Sequence, residues 1–124
     1  YPLYSVAVHI QSARKLKHAH PNMIFVGTGY TYLQEYAPAV AEYEVAHHHV
    51  DFVGLGRMIL SYPEMARDHL AGKEFQRKRV CRTFSDCTTA PRNGMKSGCY
   101  PLDPEYRARP EAKKVRGLRP PPAK

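Results

Sequence analysis

Apolar residues recur at helical spacing near the start of the chain, with lysine and arginine residues between them. Those that would share one helix face lie three or four residues apart: Val6, Ile10, Ala13 and Leu16. This spacing predicts an amphipathic helix over 3–18. Pro21 and Asn22 follow and are expected to stop it.

Two short continuous apolar runs follow the helix, "MIFVG" (23–27) and "VDFVGLG" (50–56). Each is typical of a strand that is buried on both faces. A helix is predicted between them from Pro38 to about His47, because proline is tolerated in a first helical turn. Two strands joined by a helix pair in parallel through a right-handed crossover, which predicts an α/β fold.

A further helix is predicted after the second run. Ser61 and Glu64 have capping-box spacing, with Pro63 between them, and Gly72 can end a helix that reaches Ala71. This order of elements fits either a doubly wound sheet or an eight-stranded α/β barrel. The sequence pattern alone leaves both folds open.

Glycine ends both predicted strands and suggests a phosphate site. Gly27 is followed by Thr28, and Gly56 is followed by Arg57. Glycine lets backbone N–H groups approach an anion closely, a helix beginning near Arg57 would add free N–H groups, and the guanidinium can form a forked contact. The alternative is that these glycines only allow tight turns.

Three segments resemble the C-terminal third of the NADH:flavin oxidoreductases of the old yellow enzyme family: "FVGTGYTYLQEY" (25–36), "DFVGLGRMILSYPE" (51–64) and "CRTFSDCTTAPRNGMKSGCYPLDP" (81–104). The resemblance covers about residues 1–106, and the second and third segments are the more specific. It implies the C-terminal portion, about the last two strand–helix units, of a (β/α)8 TIM barrel that binds FMN.

The resemblance also implies a reaction and a division of roles. NAD(P)H would reduce the flavin, which would pass hydride to a small-molecule acceptor such as an electron-poor alkene. Gly27, Thr28, Gly56 and Arg57 would hold the FMN phosphate. Residues that contact the flavin ring or donate the proton lie on earlier strands in this family, so no catalytic residue is assigned to this chain. The alternative is a non-catalytic, truncated remnant of such a barrel, and a third possibility is a phosphate-binding barrel of other chemistry.

The resemblance and the composition together divide the chain into three parts. Residues 1–79 would form the strand–helix units, 80–106 a cysteine-containing loop extension, and 107–124 a disordered tail. The tail holds seven Lys or Arg residues, four prolines and one acid, Glu111, out of a net charge of +8. Such a segment has too little apolar surface to order itself. It also has only Tyr106 nearby for base stacking, so no nucleic-acid partner is expected.

No metal site is expected from the cysteines or histidines. The eleven residues between Cys87 and Cys99 suit two ligands of the [4Fe–4S] cluster found in one branch of the family. The other two ligand positions would fall at Val80 and Thr83, and Cys81 is one residue out of register. A cluster needs one thiolate more than the chain has, so the cysteines are expected to be relict or structural thiols.

The cellular context is inferred from what the sequence lacks. An odd cysteine count does not suit a disulfide framework. There is also no leader-like segment, and no apolar run approaches the length of about 18 residues that a membrane span needs. These features favour a cytoplasmic protein without a membrane partner. They do not indicate an oligomeric state.

Overall fold

The computed structural model describes residues 2–119. Helices account for 58% of it, and seven α-helices are found in the described part: α1 (Pro2–Ala19), α2 (Ala37–Ala46), α3 (Arg57–Ser61), α4 (Met65–Leu70), α5 (Asp86–Arg92), α6 (Pro104–Ala108) and α7 (Glu111–Gly117). Two 3₁₀ segments lie at Tyr30–Tyr36 and Arg77–Arg79. The first is interrupted at Gln34, whose φ is 53°.

The described residues contain two strands of two residues each, β1 (Val26–Gly27) and β2 (Phe52–Val53). They pair in parallel, with Val26 opposite Phe52 and Gly27 opposite Val53. The predicted parallel pairing is therefore present, but only over the last residues of the first apolar run. Met23 and Ile24 remain more than half exposed. An apolar run alone does not distinguish a buried strand from an exposed connection.

The prediction of a C-terminal portion of a (β/α)8 barrel is wrong. The structure is mostly helical, and its two short strands do not make the strand–helix units of a barrel. The helix predicted from Ser61 to about Ala71 is present as α4, which begins later, at Met65, and a separate short helix, α3, comes before it. Pro63 separates them, because the residue before a proline is driven out of the helical region, and Tyr62 has φ −139° and ψ 70°.

The structure also differs from the expected disordered tail over 107–119. Helix α7 buries Ala112 and Val115 against Ala90 and Tyr100. Arg119 then forms a two-point contact with buried Asp86, Nε to Oδ1 and Nη2 to Oδ2, both 2.7 Å. The apolar residues hidden among the basic ones suffice to order this segment. The rest of the predicted tail, 120–124, lies outside the described residues.

Two apolar clusters form the core. The first contains Met58, Tyr62, Met65, Val80 and Cys81, and the second contains Ala90, Tyr100, Ala112 and Val115. Both clusters lie after β2 in the chain. No helix within 2–119 combines the length and apolar character that crossing a membrane requires.

Candidate functional site

The carboxyl ends of β1 and β2 place the two glycine-containing segments side by side. The amide of Gly54 donates to the carbonyl oxygen of Gly27 at 2.7 Å, which continues the strand pairing by one step. Thr28 and the segment that leads to Arg57 therefore leave the sheet from the same edge. The structure thus brings the four residues named from the sequence, Gly27, Thr28, Gly56 and Arg57, to one end of the strand pair.

The two glycines at this edge have different surroundings. A Cβ at Gly27 would lie 2.7 Å from the hydroxyl oxygen of Tyr30, which is buried. A Cβ at Gly56 would meet nothing within 4 Å. Gly27 is therefore required by the packing of Tyr30, whereas Gly56 borders open space and leaves its backbone accessible to a ligand.

Arg57 begins α3, and two residues from distant parts of the chain hold its side chain. Its guanidinium carbon lies 4.7 Å from the centre of the Tyr32 ring, a cation–π contact. Nη1 donates to Ser85 Oγ at 3.1 Å. Interaction with the Tyr32 side chain raises the pKa of Arg57 above its ordinary value. The group is therefore a fixed, oriented positive charge.

Arg57 lacks a counter-charge within the described part of the chain, where no carboxylate oxygen lies within 4.0 Å of it. Other arginines differ in this respect, since Arg14 and Arg119 contact the buried carboxylates of Glu44 and Asp86. The first turn of α3 also has no side-chain cap, and uncapped N–H groups at a helix start need acceptors. A half-buried cation beside uncapped amides can bind an anion.

A small cavity adjoins Arg57. Its volume is about 20 Å³, room for about one water molecule, and Arg82 and all three cysteines are among its lining residues. The cysteines are free. No group of three or more His, Cys, Asp or Glu side chains within 2–119 is arranged to hold a metal ion.

The sequence reasoning did not identify two residues that position Arg57. Tyr32 lies four residues after Thr28, in the segment that follows the first predicted strand, and this position was a usable signal. Ser85 gave no such signal. It reaches Arg57 because Thr83 and Ser85 both adopt left-handed backbone angles, with φ of 58° and 67°. Neither position is a glycine, so the sequence does not indicate a left-handed turn there.

Three tyrosine side chains are buried: Tyr62 and Tyr100 lie in the two apolar clusters, and Tyr30 packs against Gly27. Burial raises the pKa of Tyr30, Tyr62 and Tyr100, so these phenols stay neutral and no proton-transfer role is assigned to them.

A scan against protein-family models and searches of curated proteins and of solved structures found no match to this chain.

Proposed function

We propose that this chain is part of an FMN-dependent oxidoreductase and contributes its FMN phosphate site, at the edge formed by Gly27, Thr28, Gly56 and Arg57. The whole oxidoreductase would take hydride from NAD(P)H. The observation that carries the proposal is the half-buried Arg57 guanidinium, which faces no carboxylate in the described part of the chain and stands beside the exposed backbone of Gly56. The resemblance of the three sequence segments supports FMN as the source of the phosphate.

The residues at this edge fit a phosphate group. Arg57 would supply positive charge in a forked geometry, and Tyr32 and Ser85 restrict its motion, so less side-chain entropy is lost on binding. The amides at the uncapped start of α3 would donate to phosphate oxygens. When bound, the flavin supplies the hydride-carrying chemistry. This chain's residues bind and orient its phosphate end, and Gly27 keeps the edge in shape through its contact with Tyr30.

Replacing Arg57 tests the assignment in the full chain. A charge-assisted contact is worth roughly 1.5–3 kcal/mol, so Arg57→Ala should weaken FMN binding by about ten- to a hundredfold. Riboflavin, which lacks the phosphate, should bind wild type and variant almost equally. Arg92→Ala is the matched control, because Arg92 is an exposed arginine in the last turn of α5. Flavin fluorescence titration measures all these affinities.

Two results would contradict the phosphate assignment: unchanged FMN affinity in Arg57→Ala, or an equal loss for riboflavin. Gly56→Val provides an independent check. Its added side chain enters open space, so the circular dichroism spectrum should be unchanged while FMN affinity falls. NAD(P)H oxidation by the FMN-loaded chain tests the second part of the proposal. Because no catalytic residue is assigned to this chain, the chain alone should show no turnover, and turnover by it would contradict that assignment.

A further inference from the structure

The three cysteines come from separate segments and meet at one small cavity. Cys81 follows the second 3₁₀ segment, Cys87 lies in the first turn of α5, and Cys99 precedes α6. All three line the cavity of about 20 Å³ beside Arg57. This space has room for about one water molecule, so all three cysteines border the same small volume. The proposed FMN site uses none of them.

The backbone between Cys81 and Cys87 turns back on itself. Thr83 and Ser85 are two of the four non-glycine residues with positive φ in the described structure. The amide of Thr83 donates to Cys81 Sγ at 3.4 Å, which folds the chain over the sulfur. Because the chain reverses here, the first turn of α5, which contains Cys87, and Cys81 line the same cavity.

Cys99 is held close by a different contact. The hydroxyl of Ser97 donates to the carbonyl oxygen of Cys87 at 2.6 Å. Burial raises the pKa of both Cys87 and Cys99, and the neighbouring Cys81 contributes to the rise in each case. Cys87 also contributes to the raised pKa of Cys99, so the three thiols are neighbours of one another.

We propose that Cys81 and Cys87 form a reversible intramolecular disulfide when the protein meets a hydroperoxide. Cys87 is half-buried whereas Cys81 and Cys99 are buried, so Cys87 is the thiol that the oxidant reaches first. The inference goes beyond the proposed FMN binding and does not depend on it. The loop that the bond would close carries Ser85, the residue that contacts Arg57.

The reaction proceeds in two steps with hydrogen peroxide as the oxidant. Cys87 first loses its proton, which its raised pKa makes infrequent at neutral pH. The thiolate attacks one peroxide oxygen, so an S–O bond forms, the O–O bond breaks, and the departing hydroxide takes up the released proton to become water. The Cys81 sulfur then attacks the Cys87 sulfenic acid. The S–S bond forms, the S–O bond breaks, and the second oxygen leaves as water with the remaining proton. Two thiols are oxidised and one peroxide is reduced to two waters.

The test starts from the fully reduced full-length chain, exposed to an equimolar amount of hydrogen peroxide and then alkylated. Peptide mass spectrometry without reduction should find Cys81 linked to Cys87 and Cys99 alkylated, and dithiothreitol should restore all three thiols. Cys99→Ser should form the same link. In Cys87→Ser the bond between these two positions is absent, and so is the fast loss of two thiols.

The wild-type mapping decides the proposal even if a variant fails to fold. Full alkylation of all three cysteines after peroxide treatment would overturn it. So would a link that contains Cys99, a link only between two chains, or accumulation of sulfinic acid at Cys87 with Cys81 still reduced. Treatment with oxidised glutathione is a second arm. A stable mixed disulfide on Cys87 that Cys81 fails to displace would also count against the pairing.

Discussion

Residues 2–56 and 57–119 are stabilised in different ways. Both apolar clusters of the core lie in the second region. In the first region the buried apolar residues belong to no such cluster: Val6, Tyr30, Ala37 and Val50. Eleven of the fifteen exposed large apolar side chains in the described structure also lie in the first region. The second region hides its apolar surface by its own packing, and the first leaves much of it in contact with solvent.

Each region has a buried carboxylate paired with an arginine, Glu44 with Arg14 and Asp86 with Arg119, but only in the second region does an apolar cluster accompany the pair. Glu44 on α2 is 1% exposed. Arg14 on α1 donates to both its carboxylate oxygens, from Nε to Oε2 at 2.8 Å and from Nη2 to Oε1. His49 Nδ1 lies 3.2 Å from Oε2 but without hydrogen-bond geometry. This contact joins α1 to α2, so the first region depends on a directional interaction with a high desolvation cost.

Residues that are equally buried do not respond equally to substitution and to pH. Removing an apolar side chain from a packed cluster leaves a cavity whose cost depends on pH only weakly. Removing one partner of a buried ion pair leaves an uncompensated charge, and the cost depends on protonation. Substitutions in the apolar clusters and at the ion pair should therefore differ in how their effect on stability depends on pH.

The largest effect is expected in the first apolar cluster. Tyr62 is fully buried, its ring lies 5.5 Å from that of Phe75, and its hydroxyl donates to Asp68 Oδ2 at 3.0 Å. Tyr62→Ala should lower the free energy of unfolding by about 3–5 kcal/mol, the usual cost of a large aromatic cavity. Urea denaturation followed by circular dichroism measures it.

Two matched variants show which part of Tyr62 matters. Tyr62→Phe keeps the ring and should cost less, about 1.5–3 kcal/mol, for the lost hydrogen bond to the Asp68 carboxylate. Tyr36→Ala removes an exposed tyrosine and should change stability by less than about 0.5 kcal/mol. Equal losses in Tyr62→Ala and Tyr36→Ala would show that the cluster does not pack as the structure has it.

A smaller, pH-dependent effect is expected at the buried ion pair. Glu44→Gln keeps the shape but removes the charge that Arg14 faces. Hydrogen bonds to charged groups contribute about 1.5–3 kcal/mol, and we expect a loss in that range at neutral pH, because Arg14 is partly exposed and can regain water. Measuring unfolding free energy from pH 7 down to about pH 3 gives the dependence.

The sign follows from the pKa of Glu44, which the hydrogen bonds from Arg14 hold below its ordinary value. A lowered folded-state pKa stabilises the protein above the unfolded-state value, and that stabilisation is lost as pH falls through the folded-state value. The difference between wild type and Glu44→Gln should therefore shrink on acidification. Asp51 and Asp68 also have lowered pKa values, and subtracting the variant's curve removes their contribution. A difference that stays constant or grows would contradict the ion pair.

The local features of this chain could be predicted better than their assembly. The spacing of Val6, Ile10 and Leu16 predicted a helix over 3–18, and α1 spans Pro2–Ala19. Pro38 likewise lies in the first turn of α2. These predictions rest on interactions within a few residues of each other. The parallel pairing of β1 and β2 was also predicted, because two strands joined by a helix pair in parallel.

The barrel and the disordered tail could not be predicted correctly, for two physical reasons. An apolar run carries no information on whether a partner covers it, and Ile24 remains 73% exposed. The basic, proline-rich composition of the tail gave no indication that Ala112 and Val115 would be buried. They are buried because α5 and Tyr100 pack against them. At the candidate site, the sequence indicated Arg57 and the glycines. The hydrogen bond from Arg57 to Ser85 depends on a left-handed turn that lies twenty-eight residues further along the chain.

The smallest effect is expected on the exposed apolar surface of the first region. Ile24→Ala removes a side chain that is 73% exposed and should change the free energy of unfolding by less than about 0.5 kcal/mol. Met58→Ala removes a side chain of similar size that is fully buried, and it should cost about 2–5 kcal/mol. Denaturant titrations at two protein concentrations give both values. If Ile24→Ala costs as much as Met58→Ala, the surface of the first region is covered in solution. A loss that disappears on dilution would identify the cover as another chain. The two regions would then differ in exposed apolar surface only in the isolated chain and not in its complex with another chain.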